Sequence, residues 1–267
     1  MPVNDAPGPA LADDRSLIAR AAREAGRIAM RYFRNDPEVW WKEGNSPVSK
    51  ADLEVDLFLR RTLTEARPDY GWLSEETIDS QERLSAARTF VVDPIDGTRA
   101  FIEGRRVWCV SIAVVEDGRA IAGVLECPAS GETFSAALGA GARRDGEAIT
   151  VRKPGRELLM AGPKPMIKAL PAEVFARVAP HPYVHSLAYR LAMVAEGRLD
   201  ATFVRPASHD WDVAAADIIL AEAGGLIVDA TGGRPRYGGP NPRLGPLAAG
   251  SGHLLETMAG VLSDIRV

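Results

Sequence analysis

The sequence predicts an α+β first half followed by an α/β second half, with the change of texture near residue 153. Three observations carry this. Two amphipathic helical segments open the chain, a run of strands without helices between them fills the middle, and strands alternate with helices thereafter.

Residues 1–10 read as a loose tail. Over residues 13–33 apolar side chains recur at helical spacing, at Leu17, Ala21, Ala25, Ile28 and Tyr32, with Asp13, Asp14 or Ser16 available as a cap. Residues 42–47 read as a polar loop. A second helix is expected over residues 49–66, with Leu53, Leu57, Leu59 and Leu63 as its apolar positions and Asp52 placed for a capping box with Ser49. Phe90-Val91-Val92 reads as a strand that enters Asp93-Pro94-Ile95-Asp96-Gly97-Thr98. Residues 107–115 and 120–125 read as strands around a hairpin turn at Asp117-Gly118, and residues 133–137 and 149–151 as further strands. Strands that follow one another directly predict an antiparallel sheet. In the second half, residues 187–196, 211–223 and 253–262 read as helices, and 201–204 and 226–228 as strands. This rhythm separates an N-terminal part, residues 11–152, from a C-terminal part, residues 153–267.

The 267 residues carry a net charge of −4, with 46% hydrophobic and 25% charged side chains. That is the composition of a globular chain able to bury a core, and it lacks the basic surface of a nucleic-acid binder. No stretch approaches the roughly 20 apolar residues of a membrane span. The first twelve residues lack a basic start followed by an apolar run, so no signal peptide is expected. Cys109 and Cys127 lie in strand-like runs without metal-ligand spacing and read as buried, reduced thiols of a cytoplasmic protein.

The chemistry concentrates in three acidic places. In Asp93-Pro94-Ile95-Asp96-Gly97-Thr98 a strand runs into two carboxylates on one turn, a pattern suited either to a divalent cation or to a plain strand-to-turn corner. Glu75-Glu76, in Leu73-Ser74-Glu75-Glu76, suits a ligand pair or a solvated loop. Asp212, in Trp211-Asp212-Val213, suits a ligand or a helix N-cap. Two such acids 4 Å apart repel by about 4 kcal/mol at an effective dielectric near 20, so their convergence calls for divalent cations.

Taken together, Glu75-Glu76, the Asp93–Thr98 element, Trp211-Asp212-Val213-Ala214-Ala215 and Glu222-Ala223-Gly224-Gly225 resemble the inositol monophosphatase superfamily in order and spacing, over about residues 14–262. The resemblance implies a layered α/β/α/β/α sandwich, often homodimeric. It implies Mg²⁺ as cofactor, two to three ions per site, with Mn²⁺ as a substitute and Li⁺ and Ca²⁺ as inhibitors. Carried over, Glu75, Asp93 and the Ile95 carbonyl hold one ion, and Asp93, Asp96 and Asp212 a second. Thr98 with Asp52 orients and helps deprotonate the attacking water, Glu75 serves a third, weaker ion, and Asp96 with the Gly97 and Thr98 amides serves the phosphate. All six of Asp52, Glu75, Asp93, Asp96, Thr98 and Asp212 are present, which disfavours a non-catalytic phosphate-binding protein on the same fold.

Within the superfamily, Leu73-Ser74-Glu75-Glu76 and Asp96-Gly97-Thr98-Arg99-Ala100-Phe101 resemble the 3'(2'),5'-bisphosphate nucleotidase branch. Arg205 stands near where inositol enzymes carry a glutamate, and its planar fork suits a second phosphate, with Asp210 as a stand-in acid. His185-Ser186-Leu187 occupies a segment where the family places a glycine, and it assigns Ser186 and Leu187 to substrate. The expected partner is a small phosphorylated metabolite, a bisphosphate nucleotide, with inositol 1-phosphate and histidinol phosphate as alternatives.

Overall fold

The computed structural model describes residues 9–42, 46–179 and 181–263. The chain opens with helix α1 (Pro9–Met30), then a hairpin of β1 (Val39–Lys42) and β2 (Ser46–Ser49), and helix α2 (Lys50–Ala66). Strand β3 (Gly71–Ser74) and a 3-10 turn (Gln81–Ser85) lead to β4 (Arg88–Asp96), the short helix α3 (Thr98–Ile102), β5 (Cys109–Glu116) and β6 (Arg119–Cys127). Strands β7 (Glu132–Ala137), β8 (Ala142–Arg144) and β9 (Glu147–Ala148) follow. Then come β10 (Leu158–Ala161), helices α4 (Lys164–Lys168) and α5 (Ala172–Phe175), β11 (Val178–Ala179) and helix α6 (Leu187–Ala195). The chain closes with β12 (Ala201–Val204), helix α7 (Asp210–Glu222), β13 (Leu226–Val228), β14 (Leu247–Gly250) and helix α8 (Gly252–Leu262).

Strands β3 to β9 form a seven-stranded sheet in chain order, and β11-β10-β12-β14-β13 form a five-stranded one. The first sheet is antiparallel as expected except that β3 runs parallel to β4. Apolar faces of α1 and α2, with Ile18, Ala25, Val55 and Leu59 fully buried, cover one side of it. Helices α6 and α7 cover the other side and are shared with the second sheet. Helices α4 and α8 close that sheet's far face around Met166, Leu255 and Met258. The layers are thus α/β/α/β/α. Gly123 on β6 shows how tightly the middle layers meet, because a Cβ there would stand 2.6 Å from the Ala215 carbonyl. The two sheets part between Ala148 and Leu158. No helix among the described residues is long and apolar enough to cross a membrane.

Several local expectations are corrected. Residues 1–8 of the expected tail lie outside the described residues, and Pro9 and Ala10 already belong to α1. Asp14 is no cap: it is buried inside α1 and accepts from Arg67 Nε, Arg88 Nη1 and the Tyr70 hydroxyl at 2.8–3.0 Å. The described ends of the 42–47 loop pair as a hairpin, Lys42 opposite Ser46, while residues 43–45 lie outside the described set. On α2, Leu53 and Leu57 are exposed, and the buried stripe is Ala51, Val55, Leu59 and Leu63. Residues 149–151 form no strand, since β8 and β9 have already completed the sheet edge. Cys109 and Cys127 are free and buried.

Candidate metal and phosphate site

Strand β4 brings two carboxylates to one side by breaking its own alternation. Asp93 pairs with Ser111 and Asp96 with Cys109, so two residues of β4 oppose one of β5. Pro94 has no N–H for the ladder, and a bulge is the usual consequence. In a regular strand, residues three apart face opposite sides. The extra residue turns Asp93 and Asp96 the same way, and the Ile95 amide donates to Asp93 Oδ1 at 3.0 Å. Gly97 then takes φ +96°, and a Cβ there would press within 3.0 Å of Ser186, so glycine alone suits this corner.

The acids distant in sequence arrive on separate elements. Glu75 follows the end of β3, and its amide continues the ladder to the Val92 carbonyl. Asp212 is the third residue of α7; the N-cap is His209, whose backbone N–H donates to Asp212 Oδ2 at 2.7 Å. Glu75, Asp93 and Asp212 each offer an oxygen within 4.8 Å of the others. These three, with Asp96 and Thr98, line one cleft of about 260 Å³, with Ile95 and Gly97 in its wall.

Asp52, behind the cleft, uses its two oxygens differently. Oδ2 accepts from the Ser49 amide at 2.8 Å and the Ser49 hydroxyl at 2.6 Å, the capping arrangement its spacing predicts. Oδ1 lies 3.1 Å from the Thr98 hydroxyl, which is also 3.0 Å from the Ile95 carbonyl. Asp96 is held by the start of α6: it accepts from the Ser186 hydroxyl, the Leu187 amide at 3.2 Å and the Ala188 amide at 2.7 Å. Ser186 and Leu187, expected to meet substrate, therefore reach the site through Asp96. Arg205 is exposed just past β12, outside the cleft wall, and Asp210 turns to the Gly238 amide at 2.7 Å.

Burial together with like charge raises the proton affinity of these acids. Asp52 and Asp96 are pushed up to about 6 and Glu76 to about 7, burial being the largest cause in each and the Glu75 charge contributing. Asp93 and Asp212 lie well above the usual carboxylate range for the same two reasons. Burial pushes the Cys109 thiol up as well, so it faces Asp96 as a neutral neighbour at 3.9 Å. Burial likewise lowers His209, which stacks on Trp211 as a neutral ring. An all-oxygen, mutually repelling donor set is what a hard divalent cation fits.

Other neighbours reach the site only through packing. Lys42 Nζ lies 2.6 Å from Glu76 Oε1 and 3.3 Å from Glu75 Oε1, and no periodicity marks it. Pro47, Arg99 and Tyr183 complete the cleft wall together with His185, which the sequence places in a polar loop beside Ser186. Tyr183 also borders a second groove of about 300 Å³, floored by Met160 and Ile167, flanked by Phe175 and rimmed by Lys164, Lys168 and His181.

Residues 13–265 match the model of the inositol monophosphatase family. The chain belongs to that family. It is 32% identical over 231 residues to an inositol-1-monophosphatase of Mesorhizobium japonicum, covering 82% of this chain and 86% of the relative. It is 29% identical over 222 residues to the 3'(2'),5'-bisphosphate nucleotidase CysQ of Aggregatibacter actinomycetemcomitans, covering 79% and 82%. Its structure is similar to that of the IMPase of Thermotoga maritima, with a TM-score of 0.81 and 27% identity over 94% of this chain and 97% of that one. The family is one of metal-dependent phosphatases, and its relatives divide among several phosphate esters.

Proposed function

We propose that the protein is a Mg²⁺-dependent phosphomonoesterase whose substrate is a 3'(2'),5'-bisphosphate nucleotide, with 3'-phosphoadenosine 5'-phosphate yielding AMP and phosphate. The observation that carries the phosphatase reading is the Thr98–Asp52 contact beside the three-acid cluster. Glu75, Asp93 and Asp212, with Asp96 and the Ile95 carbonyl, are the groups to hold the ions. Divalent cations held by these groups would neutralise acids and ester and would acidify a water.

The chain's own groups do the rest. The Thr98 hydroxyl, donating to Asp52, keeps lone pairs free to accept from a water and aims it at phosphorus. Asp52, with its carboxyl near 6, is ionised at neutral pH and can take that proton through the hydroxyl. The Gly97 and Thr98 amides at the start of α3 take phosphate oxygens. Ser186 and the α6 amides fix the rotamer of Asp96 from behind.

The nucleotide reading rests on the second groove. Its apolar floor, two half-exposed aromatic rings and lysine rim suit a flat base and a further negative charge, and it adjoins the cleft at Tyr183. The test is phosphate release from 3'-phosphoadenosine 5'-phosphate, inositol 1-phosphate and histidinol phosphate side by side with Mg²⁺. Highest kcat/KM on the bisphosphate is expected. Faster turnover of either other ester would reassign the substrate, and hydrolysis of none would remove the catalytic reading.

A further inference from the structure

Asp56 lies one turn after Asp52 on α2 and is 7% exposed, outside the cleft wall. Its Oδ1 accepts from the Ser74 hydroxyl at 2.5 Å and its Oδ2 from the Thr77 hydroxyl at 2.6 Å. Ser74 and Thr77 stand on either side of Glu75-Glu76. The Glu75 amide is the last ladder bond; beyond it the chain leaves the sheet and bends, so no ladder fixes residues 76 and 77. Both hydroxyls already accept on their other side, Ser74 from the Glu76 amide at 3.5 Å and Thr77 from Trp72 Nε1 at 3.4 Å. Each therefore has its proton left for Asp56, and the two carboxylate oxygens satisfy one hydroxyl each.

We propose that Asp56 is a positioning residue that grips both ends of the Glu75-Glu76 bend and sets where the Glu75 carboxylate stands relative to Asp93 and Asp212. Asp52 and Asp56 share one face of α2, so a single helix turn registers the water-orienting Thr98 and the cation-facing Glu75 against each other. This rests on the divalent-cation reading above. Groups that orient a metal ligand typically contribute about 10–100-fold to metal affinity.

The test compares D56A, the isosteric D56N, T77V and, as a control, E75Q. Two readouts are independent of turnover: Mn²⁺ binding followed by electron paramagnetic resonance, and amide exchange of residues 74–77 in the metal-free protein. D56A should weaken Mn²⁺ binding by about 10–100-fold and speed exchange at Glu76 and Thr77. It should leave kcat at saturating Mn²⁺ within about threefold, since metal affinity and the chemical step are separable. D56N and T77V should move the same quantities in the same direction by less, and they keep the question open to refutation if D56A does not fold. Unchanged Mn²⁺ affinity in D56A or D56N, with E75Q weakened, would overturn the role of Asp56 alone. Unchanged affinity in E75Q as well would overturn the cation site and the grip together.

Discussion

The Thr98 hydroxyl lies 3.1 Å from Asp52 Oδ1, while Asp52 Oδ2 caps its own helix through Ser49. One carboxylate thus anchors α2 and faces the water-orienting hydroxyl. Replacing Asp52 by Asn keeps an acceptor for the cap and removes the proton acceptor. D52N should lower kcat by about 10²–10⁴-fold, the usual contribution of a positioned base. Mn²⁺ affinity should stay within a factor of about three, since Asp52 is not among the clustered ligands. T98A should behave alike. A D52N enzyme with near-normal kcat would remove Asp52 from the proton path.

Asp93 is buried and faces the charges of Glu75, Asp96 and Asp212. D93N should abolish turnover and weaken Mn²⁺ binding. It should not unfold the protein, because it removes a buried charge that its neighbours repel. Circular dichroism and a thermal melt without metal would check the fold, and phosphate release the activity. Retained turnover would contradict the ligand role.

The groove beside Tyr183 gives a prediction about substrate choice. Y183A and F175A remove exposed rings that line it; Tyr183 also borders the acid cleft, whereas Phe175 lies outside the cleft wall. Each should raise KM for 3'-phosphoadenosine 5'-phosphate by about tenfold, the scale of one lost base–aromatic stack. KM for a small ester such as inositol 1-phosphate should change little in F175A. Equal effects on both esters in F175A would show that the groove does not hold the base.

What was legible in the sequence follows from how local each signal is. The Asp93–Thr98 element declares its turn through Pro94 and Gly97, and Ser49 declares its capping partner by spacing alone, whereas the bulge that turns Asp93 and Asp96 the same way emerges only in the pairing with β5. On α2 the expected positions Leu59 and Leu63 are buried while Leu53 and Leu57 are exposed, because the helix carries two apolar stripes. Leu53 and Leu57 look like the stronger one, but the stripe through Val55 and Leu59 is buried, on the side where Asp52 and Asp56 turn toward the site. A hint lay in those acids, four residues apart on one face. Lys42 and Tyr183 had no hint at all. Each reaches the cleft from a separate element, and only tertiary packing creates that proximity.

Stability should link to pH and metal together. Asp52 and Asp96 sit near 6 and Glu76 near 7 in the folded metal-free protein, above the ordinary value near 4 of an unfolded carboxyl. Between about pH 4 and 7 the folded state therefore holds more protons than the unfolded one, and stability falls as pH rises through that window. For buried Asp52 alone, pushed up to about 6, this corresponds to about 3 kcal/mol lost by pH 8. A divalent cation binds the ionised acids, so its stabilisation grows over the same window. The chelated protein should melt at a lower temperature at pH 8 than at pH 5.5, with Mg²⁺ raising the melting temperature strongly at pH 8 and weakly at pH 5.5. In D93N both differences should shrink. A chelated protein that melts higher at pH 8 than at pH 5.5 would contradict the assignment of these acids as a repelling, cation-seeking cluster.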